Sequence, residues 1–264
     1  MQTKCYITTS IPYVNAKPHI GHALELVQAD AVARYLKLSG VDVTFQTGTD
    51  ENAHKNVAAA QAIGVPVQQL VDENAENFRN LVSALDTAPN SFIRTTEGRH
   101  RIGVQKLWGS IDQRDIYKQS YQGLYCEGCE DFLSARDLVD SKCPDHLALP
   151  TPLEESNYFF RLSKYQGQIE KLIESDAIRI HPRERKREVL AFIRSGLRDI
   201  SISRQAERMG GWGIPVPGDK SQVIYVWIDA LINYITGIGY GSGDQWREIW
   251  NHDTRKIHVI GKNV

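Results

Sequence analysis

Three cysteines and one histidine lie close together in the chain, at a spacing that metal sites use. Two residues separate Cys126 from Cys129, and two separate Cys143 from His146. Thiolate and imidazole are the ligands of tetrahedral structural zinc, and pairs with this spacing are typical of zinc knuckles. Because four protein ligands leave no open coordination position, such an ion would be structural. The alternative is a loop of reduced cysteines that holds no metal.

Two histidines on one helical turn form a second group that could do chemistry. His19, Gly21 and His22 follow a loop that contains Pro12 and Pro18, and they open a long segment with helical periodicity. A helix N-terminus offers unpaired N–H groups and the positive end of the helix dipole, which favour phosphate. Gly21 lets a ligand approach the backbone, and residues three apart share one helix face. Both imidazoles can therefore donate to phosphate oxygens as charge develops. The alternative is a pair of surface histidines beside a cap.

An aromatic segment, residues 225–234, forms a third group. It contains Trp227, Ala230 and Tyr234 and is typical of a strand that leads into a helix. In an open α/β sheet, ligands bind beside the carboxyl ends of the strands. The segment is therefore a candidate binding wall. The alternative is that both aromatic side chains belong to the core.

The elements that must position these groups follow from periodicity. Residues 5–9 and 41–47 predict strands. Between them, apolar residues recur at steps of three and four over 20–38, which predicts a long helix that Gly40 ends. The apolar residues predicted to share one face of this helix are Ile20, Ala23, Leu24, Val27, Ala31, Val32, Tyr35 and Leu38. A strand–helix–strand unit of this kind favours a parallel sheet and an α/β fold.

The remaining segments predict one α/β domain that is interrupted by an insertion. Helices are predicted over 53–63, 67–85, 98–113, 164–175, 185–196 and 229–238, and strands over 92–95, 157–162, 223–227 and 257–260. The short β-like pieces and turns of 117–152 carry the cysteines. We therefore predict a first half of the α/β domain at 1–115, an inserted domain at 116–217 and a second half at 218–264.

Composition excludes some classes of protein. The chain has 264 residues, with 31 basic and 32 acidic side chains. This balance argues against a surface that contacts phosphates along its whole length, and no DNA partner is expected. No run of residues approaches the roughly 18 apolar residues that span a bilayer, and the first residues do not resemble a signal peptide. We therefore expect no membrane partner and a cytoplasmic location.

The sequence around these groups resembles the methionyl-tRNA synthetase family of class I aminoacyl-tRNA synthetases. The segments that carry the resemblance are Ile11-Pro12-Tyr13-Val14-Asn15, Pro18-His19-Ile20-Gly21-His22, Thr47-Gly48-Thr49-Asp50-Glu51 and residues 225–234. The resemblance extends over essentially the entire chain. It implies a Rossmann-type nucleotide-binding domain with an inserted connective-peptide domain that carries a zinc knuckle.

The resemblance also implies roles for individual residues. His19 and His22 would be catalytic and contact the ATP phosphates. The ATP-binding residues implied are His19, Gly21, His22, Gly261 and Asn263, although many family members have aspartate at the last position. The methionine-binding residues implied are Ile11, Tyr13, Asp50, Trp227, Ala230 and Tyr234. Asp50 would hold the α-ammonium group, and aromatic walls favour contact with a thioether. Magnesium is expected with ATP, although no dedicated ligand set is visible.

The activity implied is the formation of methionyl-adenylate from methionine and ATP, followed by transfer to tRNA(Met). The family's lysine-rich phosphate-binding loop and its helical anticodon-binding domain are not in the sequence, so the resemblance is to the N-terminal part of the family. Two alternatives remain. One is a paralogue that delivers the amino acid to another acceptor, and the other is a non-catalytic module that binds methionine or ATP. Pyrophosphate exchange with and without methionine, and the identity of the acceptor, would distinguish them.

Overall fold

The computed structural model describes residues 3–126, 128–129 and 131–261, and it contains three β-sheets. The strands are β1 (Lys4–Thr9), β2 (Asp42–Thr49), β3 (Ser91–Arg94), β4 (Ile116–Cys126), β5 (Asp131–Leu133), β6 (Thr151–Phe160), β7 (Ile200–Ser201), β8 (Ser203–Gln205), β9 (Pro215–Val216), β10 (Asp219–Ile224) and β11 (Thr254–Val259). The α-helices are α1 (Ile20–Leu38), α2 (His54–Ile63), α3 (Val67–Ala84), α4 (Gly98–Ser110), α5 (Gln166–Glu174), α6 (Arg183–Arg194), α7 (Val226–Thr236) and α8 (Trp246–Ile249). Short 3-10 helices cover Gln113–Asp115, Ala135–Asp137 and Leu162–Tyr165.

The first sheet is parallel and has the order β11-β1-β2-β3. Ile7 on the central strand β1 pairs with Phe45 on one side and Ile257 on the other. β-Branched and aromatic residues fit such a strand because both of its faces are covered. The predicted α/β fold with a parallel sheet is confirmed. Because all four strands run in one direction, their carboxyl ends meet at one edge, where the loops after β1, β2 and β11 lie together.

Helix α1 has the predicted length, but the apolar face that the periodicity defines is not the face that the helix buries. The buried apolar residues are Ala23, Leu26, Ala29 and Ala33, whereas the predicted large residues point outwards, with Leu38 89% exposed. The alanines form a small-residue face that lets the helix lie close against the apolar side chains of β1 and β2. Periodicity alone detects a helix and does not choose between two apolar stripes, because only tertiary packing distinguishes them.

The other two sheets are antiparallel. One has the order β5-β4-β6-β7, and β4 begins at Ile116. The other has the order β8-β10-β9 and joins residues on both sides of position 217. Strand β6 is longer than predicted and forms ten pairs with β4. The three-part division at 115 and 217 stays a prediction. Within the described residues, no helix is both long enough and apolar enough to span a membrane.

The aromatic segment near position 227 becomes helical earlier than predicted. Strand β10 ends at Ile224, and Tyr225 is the extended residue that precedes the first turn of α7. Trp227 therefore lies on the helix, whereas the sequence had predicted that it ends the strand 223–227. An aromatic and β-branched run is compatible with either state, and here the backbone at Tyr225 decides where the strand gives way to the helix.

Candidate active site and metal centre

His19 and His22 form a reciprocal cap at the N-terminus of α1. His19 is the N-cap residue, and its Nδ1 accepts the backbone N–H of Gly21 at 3.0 Å. The Nδ1 of His22 accepts the backbone N–H of His19 at 3.1 Å. The two rings stack with their centroids 3.8 Å apart. This arrangement is a capping box in which both roles are taken by histidine.

The cap fixes which nitrogen of each ring carries the proton. Because each Nδ1 accepts an N–H, the neutral forms of His19 and His22 carry their proton on Nε2. Burial and the neighbouring His19 lower the pKa of His22 to about 4, so this ring is neutral at neutral pH. The helix therefore presents two Nε2–H donors beside its own positive dipole end, which together favour an anion.

A buried carboxylate connects the loops around this cap. Glu25, one turn into α1, accepts the backbone N–H and the hydroxyl of Ser10 through Oε1, each at 2.6 Å. Its Oε2 accepts the backbone N–H of Gly261 at 2.7 Å. The carboxyl ends of β1 and β11 are thus tied to the helix that carries the histidines. Gly261 lies in the predicted region, whereas Asn263 is outside the described residues.

A pocket opens beside this cap. His22 and Glu25 line it from α1, and Thr9 and Thr47 line it from the ends of β1 and β2. The hydroxyls of Thr9 and Thr47 bond to each other at 2.7 Å. The pocket therefore sits at the carboxyl edge of the parallel sheet.

Tyr13 and Asp50 meet at the same edge. The two residues pair through an isolated parallel bridge, and the backbone N–H of Asp50 donates to Pro12 O at 2.8 Å. Asp50 is 3% exposed. Ile11 is half-buried in the same loop as Tyr13. The structure thus joins the loop after β1 to the acid at the end of β2.

Helix α7 carries the other predicted binding residues. Tyr13 packs against the cluster that contains Tyr225 and Val226, which brings the start of α7 to the loop after β1. Trp227 is 52% exposed, Ala230 is buried and Tyr234 is half-buried. His258 on β11 was not predicted to lie here, and its ring is 4.8 Å from that of Tyr234.

A buried polar network on the inner side of α7 was also missed. Asp229 accepts the amide N–H of Asn52 at 2.8 Å through one oxygen and faces Nε2 of His100 at 3.1 Å through the other. The Nδ1 of His100 lies 2.7 Å from the hydroxyl of Thr236. Burial raises the pKa of Asp229, and the adjacent His100 opposes this rise. The sequence contained one sign of this network, because Asp229, Asn233 and Thr236 lie on the same face of an otherwise apolar helix.

The four predicted metal ligands converge in the inserted region. Among the described residues, Cys126, Cys129, Cys143 and His146 form the only group of three or more metal-binding side chains, with all ligand atoms within 4.8 Å of one another. Cys129 Sγ lies 3.4 Å from Cys143 Sγ and from His146 Nδ1, and Cys143 Sγ lies 3.7 Å from His146 Nδ1. Tetrahedral zinc places sulfur and nitrogen ligands roughly 3.5–3.8 Å apart, so the donor set fits this ion.

The local backbone geometry leaves room for the cysteine–histidine cluster. A Cβ at Gly128 would lie 2.3 Å from the ring of His146, so only glycine leaves room for the ring. Strand β4 ends at Cys126, and the backbone N–H of Cys143 donates to Ala148 O at 2.9 Å. With four protein ligands, an ion here would be structural.

The family model for tRNA synthetases class I (M) matches residues 5–149 and 137–264. The chain belongs to this family of class I tRNA synthetases. As a class I (M) synthetase chain, it is similar to the methionine–tRNA ligase of Brucella suis biovar 1 (strain 1330), at 42% identity over 266 residues, which cover 99% of this chain and 51% of that protein. The methionine–tRNA ligase of Thermotoga maritima is also 42% identical, over 99% of this chain and 42% of its own length.

A solved class I synthetase structure has the same fold. The Mycobacterium tuberculosis methionyl-tRNA synthetase in complex with methionyl-adenylate matches with a TM-score of 0.90 and 38% identity, covering 98% of this chain and 51% of that one. The predicted family and the Rossmann-type fold are thereby confirmed. The chain spans about half the length, or somewhat less, of the curated relatives it matches.

Proposed function

We propose that this chain supplies the amino-acid-activating part of a methionine–tRNA ligase. The observation that carries the proposal is the close match, over nearly the whole chain, to a synthetase that was solved with methionyl-adenylate. The proposed substrates are methionine and ATP, which enters with Mg²⁺. The acceptor tRNA(Met) and a cytoplasmic location belong to the same proposal.

In the proposed reaction, a carboxylate oxygen of methionine attacks the α-phosphorus of ATP and pyrophosphate leaves. His19 and His22 donate from Nε2 to phosphate oxygens, whose charge is redistributed in the transition state. Their capped geometry stabilises this state because the donors need no reorientation. Gly21 lets the nucleotide approach the helix terminus, and Gly261 and Asn263 are proposed to contact ATP.

The amino acid is proposed to bind between the loop after β1, the end of β2 and helix α7. Asp50 accepts the α-ammonium group, which positions the carboxylate towards the capped helix. The side chain of methionine is enclosed by Ile11, Tyr13, Trp227, Ala230 and Tyr234. Sulfur–aromatic contacts favour a thioether over a branched aliphatic side chain of similar volume.

We propose that the cysteine–histidine cluster holds one structural zinc ion through Cys126, Cys129, Cys143 and His146. The ligand distances and the chemistry of the donors support this assignment. Zinc would fix the turn between β4 and β5 relative to the turn that contains Cys143. It would take no part in the chemistry, because its four positions are filled by protein.

The proposal is tested by amino-acid-dependent exchange of pyrophosphate into ATP, measured with the full-length protein that carries this sequence. The panel contains methionine, leucine, isoleucine, norleucine and no amino acid. Exchange that depends on methionine is expected, with norleucine as the best of the other substrates because its shape is closest. Exchange that depends on a different amino acid, or no exchange by protein that binds methionine, would contradict the proposal.

A further inference from the structure

Helix α7 has two functional faces. Trp227, Ala230 and Tyr234 lie on one face, and the polar residues Asp229, Asn233 and Thr236 lie on another, roughly a third of a turn away. Each of the three polar residues is at most 1% exposed. A polar stripe of this kind is costly unless each group is bonded, so its partners define the rotation of the helix.

The stripe bonds to the parallel sheet and to helix α4. Gln46 on β2 donates its amide to the side-chain oxygen of Asn233 at 2.9 Å. Asn52, two residues after Asp50, donates to Asp229 at 2.8 Å and to Thr95 O at 3.2 Å. The same carboxylate faces His100, which is fully buried on α4. One side chain, Asp229, therefore joins the loop that carries Asp50 to the helix that carries Trp227.

Helices α4 and α7 pack closely beside this network. A Cβ at Gly103, one turn after His100, would lie 2.4 Å from the methyl group of Thr236. His100 lies beside this close approach, between its two partners Asp229 and Thr236. A change in its hydrogen bonds must be absorbed by the side chains of α7 or by the loop at Asn52.

We propose that His100 and Asp229 are positioning residues that set the distance between Asp50 and the aromatic wall on α7, and so determine methionine affinity. The inference rests on the proposed function, because it takes these two elements as the walls of the amino-acid pocket. Neither residue touches the substrate. His100 donates from Nε2 to one carboxylate oxygen of Asp229. The other oxygen accepts from Asn52, so the position of His100 fixes the position of Asn52.

Two substitutions at one position separate a positioning role from a purely structural one. The amide nitrogen of glutamine takes the place of Nε2, so His100→Gln keeps a donor for Asp229. The side chain of asparagine takes the place of Nδ1, so His100→Asn reaches Thr236 and leaves Asp229 without that donor. Ser110→Ala, at the exposed end of the same helix, is the matched control.

Calorimetric titration of the full-length protein with methionine gives both the Kd and the number of competent sites. We expect His100→Asn to raise the Kd about tenfold with an unchanged number of sites, and His100→Gln to recover most of the affinity. The KM for ATP in pyrophosphate exchange should be unchanged in both variants. If His100→Asn does not fold, Asn52→Ala tests the same connection from its other end, and the same rise in Kd is expected.

A purely structural role would lower the melting temperature and the number of competent sites and leave the Kd of those sites unchanged. That result, or equal affinities for His100→Asn and His100→Gln, would overturn the inference and leave the proposed function standing. Wild-type protein that binds no methionine would overturn the proposed function and the inference together.

Discussion

The imidazole rings of His19 and His22 stack 3.8 Å apart, and each caps the same helix N-terminus through its Nδ1. The backbone thereby chooses the tautomer of both rings and leaves two Nε2–H donors on one face of α1. The two backbone hydrogen bonds hold these donors in place before an anion binds, and no other side chain takes part in them.

The pKa of His22 gives the first prediction. Burial and His19 lower this pKa from 6.5 to about 4, so the folded protein favours the neutral ring. Stability from this group is fully present above pH 6.5 and is lost as pH falls from 6.5 towards 4, because the unfolded chain takes up the proton first. Proton NMR of the imidazole should show a midpoint near 4 for His22. Addition of tripolyphosphate should raise it, and an unchanged midpoint would contradict phosphate binding at the cap.

Replacement of His22 tests the role of its Nε2–H. His22→Ala should lower the rate of adenylate formation by roughly a hundred- to a thousandfold, which is the usual cost of losing a preorganised donor. His22→Gln should recover part of the rate, since its amide can donate from the place of Nε2. Stopped-flow measurement of adenylate formation gives the rate, and calorimetry should show methionine affinity close to wild type. His252→Ala, at an exposed position, is the control. A parallel loss of methionine binding would mean that His22 supports the fold instead.

Asp50 should contribute directly to methionine binding. Asp50→Asn removes the charge that is proposed to face the α-ammonium group, and it should weaken binding by about 1.5–3 kcal/mol, the range for hydrogen bonds to charged groups. Asp42→Asn, at the exposed start of the same strand, should leave affinity unchanged. Calorimetry on both variants measures the difference, and equal affinities would remove Asp50 from the site.

How much of this site was predictable from the sequence depends on the range of the interactions involved. The histidine cap and the cysteine–histidine spacing are local features, because helix geometry and tetrahedral coordination translate directly into short sequence intervals. Most predicted elements also agree with the structure to within a few residues. The bonds of Glu25 to Ser10 and Gly261 were not predicted, because these partners meet only after the parallel sheet has formed.

The faces of the helices were harder to predict than the helices themselves. For α1, two apolar stripes exist, and the sheet selects the one with small residues such as Ala29 and Ala33. For α7, Asp229 bonds to Asn52, which follows β2, and to His100, which is on α4. Both partners are far from Asp229 in the sequence. Such contacts follow from the topology of the chain and leave little trace in local periodicity.

Glu25 should stabilise the junction between β1, β11 and α1. Glu25→Gln cannot accept all three of the donors from Ser10 and Gly261, so we expect it to cost about 1–3 kcal/mol in the free energy of unfolding. Glu76→Gln, exposed on α3, is the control. Urea denaturation measures the difference. A Glu25→Gln variant as stable as wild type would show that the carboxylate does not hold the junction together.

We predict that the cysteine–histidine cluster binds one zinc ion per chain. Elemental analysis of freshly purified protein should find it, and Cys143→Ser should lower the zinc content, whereas Cys5→Ala in the buried strand β1 should not. Hydrogen exchange should show loss of protection around Cys143 and retained protection in β1 and β2, because a structural zinc stabilises its own surroundings first. Purified protein without zinc, or loss of protection in β1 at the same time, would contradict a local structural role.

The proposed reaction begins when a carboxylate oxygen of methionine attacks the α-phosphorus of ATP. Methionine with both carboxylate oxygens replaced by ¹⁸O tests it, with the full-length protein, ATP and hydroxylamine as the acceptor. Hydroxylamine attacks the carbonyl carbon of methionyl-adenylate, so the attacking oxygen stays on phosphorus when AMP leaves. We expect mass spectrometry to find AMP that carries one ¹⁸O, together with methionine hydroxamate. Unlabelled AMP formed alongside the hydroxamate would contradict it.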